Sequence, residues 1–218
     1  MSAAQSSLAP LGVFGGTFNP VHYGHLRSAL ELVERLQLEQ LRLMPSAVPP
    51  LRELPSCTAE HRAAMVELAV AGEPRLVCDV RELRRSGKSY TIDSLTELRE
   101  ELGAQRSVCM IMGCDAVLDI NAWYRWQDLL GLAHIVVIAR PGWALPDSGE
   151  VAQWLQQHRL KDASALRERA AGGILVEELR PQAISSTEIR AMLAAGQSAR
   201  YLMPQSVLDY IQIHNLYQ

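Results

Sequence analysis

Short apolar runs alternate along this chain with segments whose apolar positions recur at helical spacing. Runs of strand length lie at 11–15, 41–45, 74–80, 107–113, 134–140 and 173–179. The runs at 107–113 and 134–140 are apolar almost throughout, as expected of central strands that are covered on both faces. The pattern therefore predicts six strands separated by helices.

The segment after the first strand has the clearest helical period. It places Leu26, Ala29, Leu30, Val33 and Leu36 on one face, which predicts an amphipathic helix packed against a sheet. Start and stop signals predict further helices after Thr58 with Glu60 in the first turn, from Thr91 to Gly103, within 148–170, from Ser186, and from Pro204.

Alternation of strands and helices, without an internal repeat or a linker, favours an α/β fold in a single domain. We predict a Rossmann-like, doubly wound parallel sheet with flanking helices over residues 8–218. In such a sheet, ligands bind at the carboxyl ends of the strands, where the strand order reverses. Residues that follow strands are therefore the candidates for function.

Composition narrows the class of protein. The 218 residues are 48% hydrophobic with a net charge of −3, and their basic residues are scattered, so we expect neither nucleic-acid binding nor membrane insertion. The N-terminus lacks a basic start and an apolar core, so we expect no secretory signal, a disordered tail over 1–7 and a cytoplasmic location. No C-x-x-C pair occurs among the four cysteines, which favours buried, reduced thiols.

The stretch "GGTFNPVHYGH" (15–25) directly follows the first predicted strand. Gly15 and Gly16 allow the backbone to approach a phosphate, and the next helix offers its unpaired N–H groups. His22 and His25 are three residues apart, so in a first helical turn both imidazoles project to one side. A polyphosphate fits this arrangement, whereas a simple turn, a partial metal site or surface histidines are the alternatives.

The stretch "ISSTEIR" (184–190) predicts a second helix N-terminus. Ser185 and Glu188 have capping-box spacing, which places Ser186 and Thr187 where a helix binds anions. Arg190 carries a planar, permanently charged group that suits a pyrophosphate. The alternative is an ordinary capped helix with a surface arginine.

Two better-known phosphate motifs do not fit. The "SGKS" at 86–89 has Glu82 where a P-loop needs glycine, and the first turn lacks the G-x-G-x-x-G pattern of dinucleotide-binding folds. We therefore do not expect a Walker A motif or bound NAD as a redox cofactor.

Four stretches together resemble a known family: "GGTFNPVHYGHL", "SYTIDSL" (89–95), "GCDAVLDINAWYRWQDL" (113–129) and "ISSTEIR". The chain is similar to nucleotidyltransferases with an H-x-G-H motif and, within them, to bacterial nicotinate-nucleotide adenylyltransferases. The resemblance implies transfer of AMP from ATP to nicotinate mononucleotide, which yields deamido-NAD and pyrophosphate with Mg²⁺ as cofactor. It gives no oligomeric state, and it implies no covalent intermediate and no metal held by the protein alone.

The resemblance also implies roles for single residues. His22, His25 and Arg190 would be catalytic and would stabilise charge on the phosphates. Asp115 would accept hydrogen bonds from ribose hydroxyls, with a helix N-cap as its alternative role, and Trp123 would stack on the pyridine ring, with a core position as its alternative. The remaining ATP-binding residues would be Gly15, Gly16, Thr17, Phe18, Asn19, Gly113, Ser185, Ser186 and Thr187, and those for the mononucleotide would be Tyr90, Thr91, Tyr124 and Arg52.

Two positions depart from the family pattern. Leu51 stands where relatives often have histidine, and Asn19 stands where many have aspartate.

Two other functions remain open: another small-molecule nucleotidyltransferase, such as phosphopantetheine adenylyltransferase, and a non-catalytic ATP-binding module.

Overall fold

A computed structural model describes residues 9–50, 55–139, 142–144, 146–180 and 182–218. The predicted tail over 1–7 lies outside this part of the chain. Six strands form one parallel sheet in the order β3-β2-β1-β4-β5-β6: β1 (Leu11–Gly16), β2 (Gln40–Pro45), β3 (Leu76–Cys78), β4 (Val108–Gly113), β5 (His134–Ala139) and β6 (Ile174–Glu178). The predicted doubly wound α/β fold in a single domain is confirmed.

The strand order reverses between β1 and β4, which are neighbours at the centre of the sheet. One half of the sheet grows outward through β2 and β3, and the other through β5 and β6. The chain leaves the carboxyl ends of β1 and β4 in opposite directions, which opens a crevice there.

The third strand is shorter than predicted, three residues instead of seven. β3 is an edge strand that pairs with β2 from Leu76 to Cys78. Immediately afterwards the Asp79 carboxylate accepts the backbone N–H of Arg81 over 3.1 Å, which turns the chain out of the sheet.

Eight α-helices occur in the described residues: α1 (Tyr23–Leu36), α2 (Ala59–Val70), α3 (Thr91–Leu102), α4 (Cys114–Leu118), α5 (Leu129–Leu132), α6 (Glu150–Gln157), α7 (Ser186–Ala194) and α8 (Gln205–Ile213). Thr58 caps α2 by accepting the N–H of His61, Gly103 ends α3 with a φ of 80°, and Pro204 directly precedes α8. Short 3-10 helices cover Arg81–Arg84, Ile120–Ala122, Trp126–Asp128 and Ala163–Arg167.

The helical pattern at 148–170 divides into α6 and a 3-10 helix. Between them, Leu160 donates its N–H to Ile174 over 2.7 Å, and Ile174 donates to His158 over 2.8 Å. These bonds to β6 replace helical ones, so tertiary pairing overrides the local period here.

The core consists of two apolar layers of buried residues. The predicted face of α1 is largely correct, since Ala29, Val33 and Leu36 are buried and Leu26 packs against them. Leu30 is only half-buried, whereas Leu32 is fully buried. α1 contacts the 3-10 helix at Ala163–Arg167 as well as β2. Its buried surface is therefore wider than the one face that the apolar spacing predicted.

The four cysteines are free thiols, and three of them are buried, while Cys78 is half-buried. No helix in the described ranges is both long and apolar enough to cross a membrane.

Candidate active site

The predicted phosphate-binding stretch lies at the crevice between β1 and β4. β1 ends at Gly16 and β4 at Gly113, and the loop 17–22 connects β1 to α1. An added Cβ at Gly15 would have no neighbouring atom within 4 Å among the described residues. This face of the backbone is therefore open to a ligand.

His22 and His25 form a stacked pair at the start of α1. His22 is the N-cap, and His25 is the third helical residue. Their ring centroids are 3.8 Å apart with an interplanar angle of 29°. The prediction that both imidazoles project to one side is confirmed.

Both imidazoles are neutral at pH 7. Burial lowers the pKa of His22 to about 4, and burial together with the neighbouring His22 lowers the pKa of His25 to about 3. The Nδ1 atom of His25 accepts the backbone N–H of His22 over 3.4 Å, so neutral His25 carries its proton on Nε2. His22 Nδ1 is buried without a hydrogen-bond partner in the described part of the chain.

Two neighbours hold these rings in place. A Cβ added to Gly24 would lie 2.9 Å from Cε1 and Nδ1 of His22, so the position of the His22 ring depends on glycine at residue 24. Phe18 meets His25 edge to face, with centroids 5.1 Å apart and planes at 78°. Phe18 has a left-handed backbone (φ 48°) and is 2% exposed, so its side chain supports the site from below, and only its main chain is available to a ligand.

The N-terminus of α7 contacts the same loop. Arg190 Nη1 donates to the carbonyl of Asn19 over 2.8 Å, and Ser186 Oγ donates to the carbonyl of Pro20 over 2.9 Å. Ser185 caps α7 by accepting the N–H of Glu188 over 3.1 Å. Two stretches that lie 166 to 171 residues apart in sequence are thus hydrogen-bonded to each other.

A cavity of about 470 Å³ adjoins the histidine pair and the N-terminus of α7. Ser185 and Ser186 line one side of it. The rest of its lining includes residues that sequence reasoning missed, namely Phe14, Ile138, Ala139, Leu179, Arg180, Gln182 and Ile184. Phe14 lies in β1 and resembles an ordinary strand residue. The others lie at or after the ends of β5 and β6, and this location was the available signal.

The stretches at 89–95 and 113–129, which carry part of the family resemblance, contact each other through Tyr90 and Tyr124. The rings of Tyr90 and Tyr124 lie 4.9 Å apart at 45°, and Tyr90 and Thr91 are the N-cap and first residue of α3. Tyr124 is 56% exposed, and Trp123 is half-buried against the apolar core. Trp126 instead packs edge to face on Trp154, 5.0 Å away.

The remaining predicted residues are placed as follows. Gly113 is the N-cap of α4, and Asp115 lies in its first turn, so the alternative of Asp115 as the N-cap is wrong. Both residues are exposed at the carboxyl edge of β4. Leu51 and Arg52 lie in the range 51–54, outside the described residues.

Asn19 faces the interior rather than the cavity. Its side chain is 7% exposed, and Oδ1 accepts a 2.6 Å hydrogen bond from the hydroxyl of Tyr217. The resemblance implies an ATP contact for Asn19, and its buried side chain leaves only the main chain for that contact. No sequence motif indicates a role for Tyr217.

A doubly wound sheet with a neutral imidazole pair at its switch point, next to a second helix N-terminus, defines a nucleotidyltransferase. A family model described as cytidylyltransferase-like matches residues 13–192. The chain belongs to the cytidylyltransferase-like family and, within it, to the nicotinate-nucleotide adenylyltransferases.

Relatives named nicotinate-nucleotide adenylyltransferase carry this assignment. The relative from Aeromonas salmonicida is 49% identical and covers 96% of this chain and 98% of its own length. The relative from Cellvibrio japonicus is 48% identical and covers 95% and 98%. The structure of Plasmodium falciparum nicotinic acid mononucleotide adenylyltransferase, complexed with NaAD, matches with a TM-score of 0.69 at 17% identity, over 96% of this chain and 97% of that one. That likeness supports the fold.

Proposed function

We propose that this enzyme transfers AMP from ATP to nicotinate mononucleotide and releases deamido-NAD and pyrophosphate. The observation that carries the proposal is the stacked, neutral pair His22 and His25 facing a cavity at the switch point. The names of the full-length relatives support the choice of substrates.

The phosphate of the mononucleotide would attack the α-phosphorus of ATP in line, and pyrophosphate would leave. This phosphate is already ionised at neutral pH, so the step needs no general base. The protein therefore contributes position and charge compensation. His22 and His25 would act as N–H donors to phosphate oxygens as negative charge shifts toward the leaving group.

The triphosphate would lie between the β1 loop and α7. Backbone N–H groups of Gly15 to Asn19 and of the first turn of α7, from Ser185 to Thr187, are the donors proposed for its oxygens. Arg190, already bonded to the Asn19 carbonyl, has further N–H groups for the departing pyrophosphate. Asp115 in the first turn of α4 would accept hydrogen bonds from a ribose.

The acceptor side would be formed by the Tyr90 and Tyr124 pair. We propose that Thr91 and the backbone N–H of Tyr124 receive the nicotinate carboxylate, while Trp123 stacks on the ring. An amide in place of the carboxylate would turn its NH₂ group toward donors, which favours the acid over nicotinamide mononucleotide. The contact predicted for Arg52 is part of this proposal.

A divalent metal ion accompanies the triphosphate in nucleotidyltransferases, and we propose Mg²⁺, bound as MgATP. Within the described ranges, no group of three or more His, Cys, Asp or Glu side chains could hold a metal ion. We propose that Mg²⁺ enters with the substrate, because Mg²⁺ keeps waters and phosphate oxygens as ligands and does not require a cage of protein side chains. A cytoplasmic location remains a prediction.

A pyrophosphate-release assay with ATP and Mg²⁺ tests the function. Nicotinate mononucleotide is expected to give the highest kcat/KM when it is compared with nicotinamide mononucleotide and phosphopantetheine. Equal efficiency with the two pyridine nucleotides would contradict the proposed acid selectivity. A preference for phosphopantetheine would indicate the other transferase, and tight ATP binding without pyrophosphate release would indicate a non-catalytic module.

A further inference from the structure

One arginine is fully buried next to the site but belongs to none of the motifs. Arg62 in α2 is 1% exposed. Its Nε donates to the carbonyl of Cys57 over 3.3 Å, and Nη1 donates to the carbonyl of Thr17 over 2.7 Å. Its Nη2 donates to the carbonyls of Ser46 and Ala47 over 2.6 and 3.2 Å. The guanidinium thus binds main-chain oxygens from three separate segments.

The location of these carbonyls connects Arg62 to the proposed reaction. Thr17 directly follows β1 in the loop that leads to the histidine pair, and Ser46 directly follows β2. Both segments leave the sheet at its carboxyl edge. The two terminal nitrogens of one planar group therefore connect the β1 loop to the β2 loop beyond the point where the two strands end.

The β2 loop also bonds directly to β1 and, on its other side, to Ser89. Ser46 donates its N–H to the Gly16 carbonyl over 2.9 Å. Ala47 and Val48 donate their N–H groups to Ser89 Oγ over 2.9 and 3.1 Å, and Ser89 returns its own N–H to the Val48 carbonyl over 2.9 Å. Ser89 directly precedes Tyr90, so the segment 46–48 links the β1 loop to the proposed acceptor site.

We propose that Arg62 is a positioning residue that holds the ATP-binding loop and the acceptor-binding loops at the separation in which the two substrates meet. The inference rests on the function proposed above. Lysine cannot replace the group, because one ammonium at the end of a flexible stem does not reproduce a rigid fork aimed at two loops. Small displacements of either substrate weaken an in-line reaction strongly.

The chain offers a matched control in Arg99 of α3. Within the part of the chain that the structure describes, this side chain also donates its hydrogen bonds to main-chain carbonyls: those of Leu132, Gly103, Arg106 and Ala170. Arg106, Leu132 and Ala170 precede β4, β5 and β6, so Arg99 occupies the opposite, amino edge of the sheet. Loss of Arg99 therefore has a structural cost without a contact to either substrate loop.

The experiment compares Arg62→Lys and Arg62→Met with Arg99→Lys and Arg99→Met, at a temperature where circular dichroism shows each protein to be folded. Arg62→Lys is expected to lower kcat by about tenfold, because the reacting groups are misaligned, and to raise the KM for both ATP and nicotinate mononucleotide by about tenfold, because both binding loops are displaced. Arg99→Lys is expected to change neither KM by more than about twofold while it lowers Tm. The upward shift of Tm caused by ATP should also shrink in Arg62→Lys and persist in Arg99→Lys.

Three results would overturn the inference. In the first, both lysine variants show the same decrease in Tm and keep the KM values of the unchanged enzyme. In the second, the KM of Arg62→Lys rises for one substrate alone, and in the third, the ATP-induced shift of Tm survives in Arg62→Lys. If both Arg62 variants fail to fold, hydrogen exchange on the unchanged enzyme decides. ATP alone should then slow exchange at Ala47 and Val48, and unaltered exchange there contradicts the coupling. Absence of turnover in the unchanged enzyme would refute the proposed function instead, while the ATP-induced Tm shift would still test Arg62.

Discussion

The hydroxyl of Tyr217 donates a 2.6 Å hydrogen bond to Oδ1 of Asn19, across 198 residues of sequence. The penultimate residue of the chain therefore braces the loop between β1 and α1 from the interior. Arg190 in α7 donates a hydrogen bond to the main-chain carbonyl of the same residue, Asn19. The loop between β1 and α1 is thus shaped by contacts with α7 and with Tyr217.

Tyr217→Phe is expected to destabilise the protein by about 1–2 kcal/mol, because a buried acceptor on Asn19 loses its donor. A smaller effect on the KM for ATP should accompany it, since the loop loses one brace. Denaturant unfolding and steady-state kinetics measure the two effects. Tyr201→Phe is the control, because Tyr201 is 83% exposed; equal unfolding curves for the two variants would contradict the role of Tyr217.

Gly24→Ala separates helix propensity from catalysis. Alanine favours a helix by about 0.5–1 kcal/mol over glycine, but its Cβ would lie 2.9 Å from the His22 ring. The displaced ring is expected to reduce kcat by about tenfold or more, while Tm stays within a few degrees. Gly131→Ala in α5, where an added Cβ meets no described atom within 4 Å, should leave kcat unchanged. Full activity of Gly24→Ala would show that the His22 ring need not hold its position.

His25→Ala is expected to reduce kcat by at least about 10²-fold, the scale of losing one preorganised donor to a developing charge. Single-turnover measurements separate this chemical step from product release. The control is His214→Ala, since His214 is exposed at the end of α8. Near-normal turnover of His25→Ala would mean that the imidazole does not stabilise charge.

Arg190→Lys is expected to lower kcat/KM for ATP by about tenfold or more, because an ammonium cannot bond the Asn19 carbonyl and also bind pyrophosphate as a planar fork. Initial rates at varied ATP concentration measure the effect. Arg159→Lys, at an exposed side chain, is the control. Similar kinetics for both variants would place Arg190 outside the catalytic machinery.

The buried histidine pair makes folding stability depend on pH. The pKa values of His22 and His25 fall from 6.5 to about 4 and about 3 on folding, so between those values the unfolded chain binds more protons than the folded one. The contribution of the two histidines to the free energy of unfolding should therefore be fully present above about pH 6.5. It should decrease as the pH falls, by up to about 1.4 kcal/mol per pH unit for each ring. Denaturant unfolding from pH 7.5 to 4 should show a smaller decrease for His25→Gln; parallel profiles would contradict the assignment.

Local periodicity and local motifs predicted much of this protein. The six strands, α1 and the position of the His22 and His25 pair follow from apolar spacing and from turn and capping residues, which act within a few neighbours. The local pattern did not predict the shortened β3 or the end of the helix after α6. The Asp79 carboxylate turns the chain out of the sheet, and Leu160 bonds to Ile174 in β6 instead of continuing a helix.

The sequence by itself determined the fold class and the family, and it predicted that the histidine pair lies at the start of α1. Only the tertiary structure decided that the two imidazoles are stacked and neutral, that Asn19 faces inward to Tyr217, and that Arg62 joins the loops after β1 and β2. The reason is physical: ring burial, pKa shifts and hydrogen bonds between distant segments depend on which elements pack together. That packing leaves no periodic trace among neighbouring residues.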